Sequence, residues 1–106
     1  MTTLLALYRR PDGGDDALAE FERRYRAEHL PLVAGTPGLR STTVQRVTTR
    51  LTGDDIVLAT AMTFDDRAAL DAGLASDAMR AAGRNLRELI PGDRVTLLVL
   101  EDAAAG

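Results

Sequence analysis

Residues 17–40 read ALAEFERRYRAEHLPLVAGTPGLR, and this stretch decides the fold of the 106-residue chain. Leu18, Phe21, Tyr25, His29 and Leu32 follow one another at steps of three or four. At about 3.6 residues per turn, those steps keep all five on one side of a helix. The opposite side carries Glu20, Glu22, Arg23, Arg26 and Glu28, which suits water. His29, the only histidine, sits on the apolar stripe one turn beyond Tyr25. Pro31 disfavours helical geometry at Leu30 and removes a backbone donor, so the helix is predicted to end close to His29. Pro37-Gly38 then turns the chain into a strand predicted over Leu39 to Leu51, rich in β-branched residues.

Outward from that stretch the other elements follow. Thr2 to Arg10 reads as a strand, and Pro11 to Gly14 as a loop with Asp15 or Asp16 as helix cap. Thr52 to Asp55 supplies a turn, and Ile56 to Phe64 returns as a buried strand. Asp65 is the expected cap of a helical piece holding Leu70 and Gly73, and Ser76 caps a second piece with Met79, Ala82, Leu86, Leu89 and Ile90 on its stripe. Pro91-Gly92 stops that helix, and Arg94 to Leu100 is a last, almost wholly apolar strand. The order is βαββαβ, an α+β ferredoxin-like arrangement with helices on one face of an antiparallel sheet. Residues 1–102 are predicted to form the domain and residues 103–106 a flexible tail.

Three of the strands are apolar on both faces, whereas helices cover only one. Leu5 and Leu7 oppose Leu4 and Ala6, and Leu98 and Leu100 oppose Leu97 and Val99. A second copy of the chain, sheet against sheet, covers the rest and leaves room for a pocket. The expected partner is therefore the chain itself, as a homodimer.

Composition narrows the function. A net charge of −3 argues against nucleic acid or an anionic membrane as main partner. The absence of cysteine removes disulfides and thiol nucleophiles and suits the cytoplasm, and no apolar run approaches the roughly 20 residues of a membrane span. Met1 to Arg10 does not read as a signal peptide. One histidine without cysteine argues against a zinc site, no glycine-rich phosphate loop or G-x-S-x-G elbow is present, and no cofactor is called for. His29 is the candidate acid/base or ligand anchor, against the alternative of a core histidine that orders the turn through Pro31. Tyr25, one turn away, is the second candidate catalytic residue, which could position a ligand or share a hydrogen bond with His29. Tyr8, Arg46, Met62 and Phe64 are candidate ligand contacts, Tyr8 to position a ligand through its hydroxyl, Arg46 for a carboxylate or phenolate, and Met62 and Phe64 as pocket walls. Each has a structural alternative: a core packing position, or for Arg46 a solvated or intersubunit salt bridge.

Tyr25, His29, Pro31, Leu32, Pro37, Gly38 and Leu39, reading Y-x3-H-x-P-L-x4-P-G-L, resemble the central motif of the EthD family, small proteins of the dimeric α+β barrel superfamily. LLALYRRPDG, with Tyr8, and MTFDDRAAL resemble the family's first strand and its third-strand-to-helix junction. The resemblance implies a dimeric barrel and an association with oxidative degradation or polyketide-type metabolism. It is compatible with a cofactor-free enzyme of oxidoreductase, isomerase or dehydratase type, acting on a small apolar or aromatic oxygenated metabolite in a barrel pocket with His29 as acid/base. A non-catalytic binding or accessory protein is the alternative. Haem ligation by His29, as relatives in the superfamily do, ranks behind both.

Overall fold

The computed structural model describes residues 1–103, so most of the tail predicted over residues 103–106 lies outside the described residues. Four strands form one antiparallel sheet: β1 (Thr2–Arg9), β2 (Leu39–Arg46), β3 (Ile56–Phe64) and β4 (Val95–Glu101), in the spatial order β2-β3-β1-β4. Helices α1 (Gly14–Arg24), α2 (Leu30–Ala34), α3 (Arg67–Leu74) and α4 (Asp77–Leu89) lie on one face. This is the α+β ferredoxin-like fold. Among the described residues, no helix is long and apolar enough to cross a membrane.

Strand β1 shows why the helices choose their face. Thr2, Leu4, Ala6 and Tyr8 are buried while the residues between them are half-exposed. Their partners across β3 (Phe64, Met62, Thr60 and Leu58) are buried too, so one face of the pleat forms the core. Phe21, Tyr25, His29, Val33, Leu70, Ala82 and Ile90 close over it from the helices. The opposite face of the sheet carries Leu5, Leu7, Leu98 and Leu100, which nothing in the single chain covers.

Several local expectations are corrected. The helix does not end at His29: α1 runs through a π-helical turn (Tyr25–His29) into α2. The Leu30 amide reaches back five residues to the Tyr25 carbonyl. The widened turn makes room for Pro31, whose ring would clash with the carbonyl four residues back in a regular helix. It also rotates α2 about the helix axis, so Val33 is the buried residue and Leu32 is only partly buried. At the start of α1, neither Asp15 nor Asp16 caps; Gly13, at φ 110°, occupies the cap without a side-chain bond.

Strand β2 stops at Arg46 instead of Leu51. The Val47 amide still reaches the Val57 carbonyl (2.9 Å), and on the other edge of β3 Arg10 takes the Asp55 carbonyl with its amide (3.0 Å) and the Asp55 carboxylate with its guanidinium (2.9 Å). Asp66, not Asp65, caps α3, its Oδ1 accepting from the Ala69 amide at 2.8 Å, while Asp65 pairs with Arg40. Ser76 caps α4 as expected, accepting from the Met79 amide.

Candidate functional site

The π-helical turn carries Tyr25 and His29 against the centre of the sheet. Tyr8, Phe21 and Tyr25 form an aromatic cluster with ring centroids 5.1 to 5.6 Å apart. The His29 ring lies against Tyr25 at 4.9 Å. No hydrogen bond joins Tyr25 to His29, contrary to expectation. The Tyr25 hydroxyl bonds instead to the Tyr8 hydroxyl (3.0 Å) and to Thr60 Oγ1 (2.6 Å), both wholly buried. Burial pushes the Tyr8 phenol far up and the Tyr25 phenol up as well, so both stay protonated at neutral pH.

Beside this cluster lies a cavity of about 130 Å³, walled by Leu4, Ala6, Tyr8 and Met62 from the sheet, His29 and Val33 from the first helical unit, and Met79, Gly83 and Leu86 from α4. Leu74 and Leu97 stand at its edge, Leu97 being 57% exposed. The volume is close to the roughly 150 Å³ of an apolar cavity that admits benzene. A wider groove of about 290 Å³ continues from it, sharing Gly83, Leu86 and Leu97 and running to Ile90 and Val95. This cavity lies between helices and sheet, on the helix-facing side of β1, and His29 lines it from the helix.

A larger depression of about 300 Å³ between Pro11, Phe21 and Pro91 has polar walls, Asp12 and Glu20, that stand in solvent. The one histidine lies in the smaller cavity. There His29 is 5% exposed and its Nδ1 has no hydrogen-bond partner. Burial holds the imidazole below its ordinary pKa, opposed by the Asn85 side chain and the Ala82 carbonyl. The ring is therefore neutral near pH 7.

The structure brings His29, Tyr8 and Met62 to one cavity and places Tyr25 directly behind it. Arg46 and Phe64 are not in its walls. Arg46 grips Glu22 of α1 through two bonds (3.1 and 2.8 Å) at the edge of β2, and Phe64 fills the core beside Gly73. Two polar residues near the site escaped the sequence reading. Thr60 could have been found as the hydroxyl interrupting the helix-facing row Leu58, Met62, Phe64; Asn85 gave no local signal.

No family model matches the chain, and no curated protein matches it. Solved structures do. An ethyl tert-butyl ether D (EthD) family protein from Bacillus halodurans is 29% identical over 97% of this chain and 99% of its own, with a TM-score of 0.85. A dimeric ferredoxin-like protein from Jannaschia sp. CCS1 is 21% identical over 96% of this chain and 100% of its own (TM-score 0.69). A DABB family protein with a ferredoxin-like fold from Mesorhizobium loti is 12% identical over 97% of this chain and 98% of its own (TM-score 0.74). The last two bear on the fold alone.

Proposed function

We propose, for a chain that is EthD-like over nearly its whole length, that the helix-side cavity binds a small apolar or aromatic molecule carrying oxygen, with His29 as its one proton-exchanging group. The observation that carries this reading is a neutral, buried imidazole in the wall of an otherwise apolar pocket. A neutral ring in a dry site takes a proton from a C–H or O–H acidified by a neighbouring carbonyl. Returning it at another carbon is isomerisation; delivering it to a departing hydroxyl releases water and is dehydration. Oxidation of the same carbanion needs dioxygen as the electron acceptor. Tyr25 backs the imidazole, Tyr8 and Met62 wall the ligand, and Arg46 and Phe64 support the frame.

Non-catalytic binding is the second reading. It is favoured by the closed bonding of Tyr8 and Tyr25, which leaves no second acid or base in the pocket. The same proposal includes a homodimer over residues 1–102, joined through the apolar face that carries Leu5 and Leu98, and a cytoplasmic setting for a chain without cysteine.

A Gly83→Leu variant tests the site. Gly83 lines the cavity, and a Cβ added there meets only the Arg87 guanidinium, at 3.7 Å. Small phenols and cyclic ketones screened by ligand-observed NMR should bind the wild type and lose binding to Gly83→Leu; equal binding to both places the ligand elsewhere. Turnover by folded His29→Gln, under saturating substrate, then separates the two readings: a fall of roughly 10²–10⁴-fold supports acid/base catalysis.

A further inference from the structure

The cavity histidine is held from behind by a polar chain that crosses from the first helical unit to α4. Arg24 grips both oxygens of Glu28, Nε to Oε2 at 2.8 Å and Nη2 to Oε1 at 3.0 Å. Glu28 Oε1 in turn accepts from Asn85 Nδ2 at 3.0 Å. An ionised carboxylate only accepts, so the amide of Asn85 cannot turn over: its nitrogen faces Glu28 and its oxygen faces inward. Arg24 keeps Glu28 ionised, since its bond holds the carboxyl below the usual range.

Asn85 Oδ1 is sealed from solvent without a hydrogen-bond partner, and so is His29 Nδ1. Two unpartnered buried atoms on facing elements, one an obligatory acceptor, satisfy each other if the ring carries its proton on Nδ1. The Asn85 side chain and the Ala82 carbonyl are the polar groups that act on the ring, and both favour a protonated nitrogen. Tyr25, stacked on the ring, and Tyr8, in the same cavity wall, are neutral and spend their hydroxyls on each other and on Thr60. His29 lines the cavity, and the two nitrogens lie on different sides of the ring, so a ring that turns Nδ1 to Asn85 presents Nε2 to the cavity.

We infer that Asn85, clamped by Glu28 and Arg24, is a positioning residue that fixes His29 as the Nδ1–H tautomer, so that Nε2 meets the cavity as a hydrogen-bond acceptor. The ligand the site selects is then an apolar molecule of about one ring that offers a hydroxyl donor, a phenol or an enol. This ligand class rests on the function proposed above; the tautomer does not. A neutral phenol or enol hydroxyl donating to Nε2 is also the group the imidazole is placed to deprotonate.

The test uses the full chain labelled with ¹⁵N-histidine, which yields one imidazole because His29 is the only histidine. At neutral pH the ring nitrogens should show a protonated Nδ1 and an unprotonated Nε2. Asn85→Leu removes the acceptor, and Glu28→Lys, on the surface, presents a donor that turns the amide around. Either variant should move the proton to Nε2. Glu28→Lys leaves the core untouched and serves if Asn85→Leu fails to fold. A wild-type ring protonated on Nε2, or a Glu28→Lys ring still protonated on Nδ1, overturns the positioning role. Titration with phenol and toluene reads the ligand class. Phenol should shift Nε2 and toluene should not, and Glu28→Lys should weaken phenol by roughly 3- to 10-fold, the worth of one net hydrogen bond. Failure of phenol to bind a wild type with the expected tautomer overturns the ligand class and the function beneath it, and leaves the role of Asn85 standing.

Discussion

The Tyr25 ring faces His29 at 4.9 Å, yet its hydroxyl turns away to Tyr8 and Thr60. One residue therefore serves two layers: its ring supports the imidazole, and its oxygen ties the helix to the two central strands. Tyr25→Phe keeps the first role and removes the second. It should cost about 1–3 kcal/mol, because Thr60 Oγ1 and the Tyr8 hydroxyl lose a buried partner. Thr60→Val added to Tyr25→Phe should cost less than the sum of the single changes, since each removes the partner of the other. Chemical denaturation of the four proteins measures the coupling, and strict additivity would show that the two hydroxyls act independently.

Stability should fall on mild acidification, through His29. Its folded pKa lies below its ordinary value of 6.5 because burial disfavours the charged ring. The unfolded chain then binds a proton more readily than the folded one. The full contribution is present above about pH 6.5 and declines as the pH falls toward the folded value, with no further loss below it. Glu22 and Asp65, held low by their bonds to Arg46 and Arg40, lose their contributions in a separate, more acid range. Denaturation midpoints between about pH 7.5 and 5 should slope downward for the wild type and be flatter for His29→Gln. An unchanged slope in the variant would assign the effect to other groups.

Two helical glycines should respond oppositely to alanine. A Cβ at Gly73 would stand 2.9 Å from Phe64 Cε2 and 3.1 Å from Thr36 Cγ2, inside a packed core. Overpacking of that kind costs about 1–3 kcal/mol and outweighs the gain in helix propensity of about 1 kcal/mol. At Gly83 the new methyl meets no clash, so the propensity gain stands and Gly83→Ala should raise the melting temperature. Thermal unfolding of both variants decides the matter, and a stabilised Gly73→Ala would contradict the packing.

The face of the sheet away from the helices makes its own prediction. Leu5 and Leu98 are directly paired across β1 and β4 there, and Leu98 is 41% exposed in the single chain. Leu98→Asp should leave the helix-side core intact and shift the protein from dimer to monomer at micromolar concentration, or unfold it if the monomer is not stable alone. Light scattering that finds the wild type already monomeric would remove the basis for the interface.

Much of this architecture was legible in residue periodicity. The alternation of β1, the stripe Phe21-Tyr25-His29 and the Ser76 cap depend on neighbours within a few residues, and each appears where its pattern put it. The departures have non-local causes or change the period itself. Val33 displaced Leu32 because a π-helical turn carries more residues than an α turn, which a fixed period of about 3.6 does not anticipate. Strand β2 ended at Arg46 although β-branched residues continue through Thr49, so residue type alone did not mark its end. His29 stood out as a lone titratable ring on an apolar stripe, whereas Asn85 looked like one more polar residue on the wet side of α4. Its meaning depends on Glu28, 57 residues away.

The central position of β1 sets the order in which the chain settles. Its first residue, Thr2, pairs with Phe64 on one side and Glu101 on the other. During synthesis the earliest strand to emerge is thus the last to be completed, and its run Leu4-Leu5-Ala6-Leu7 waits without partners until β3 and then β4 emerge. Closing loops of that span before any pairing rewards them is slow, so folding should fall toward the slow end for a domain of this size. Through that interval the apolar strand is open to association with other chains, and a chaperone that shields nascent apolar segments should raise the yield of folded protein.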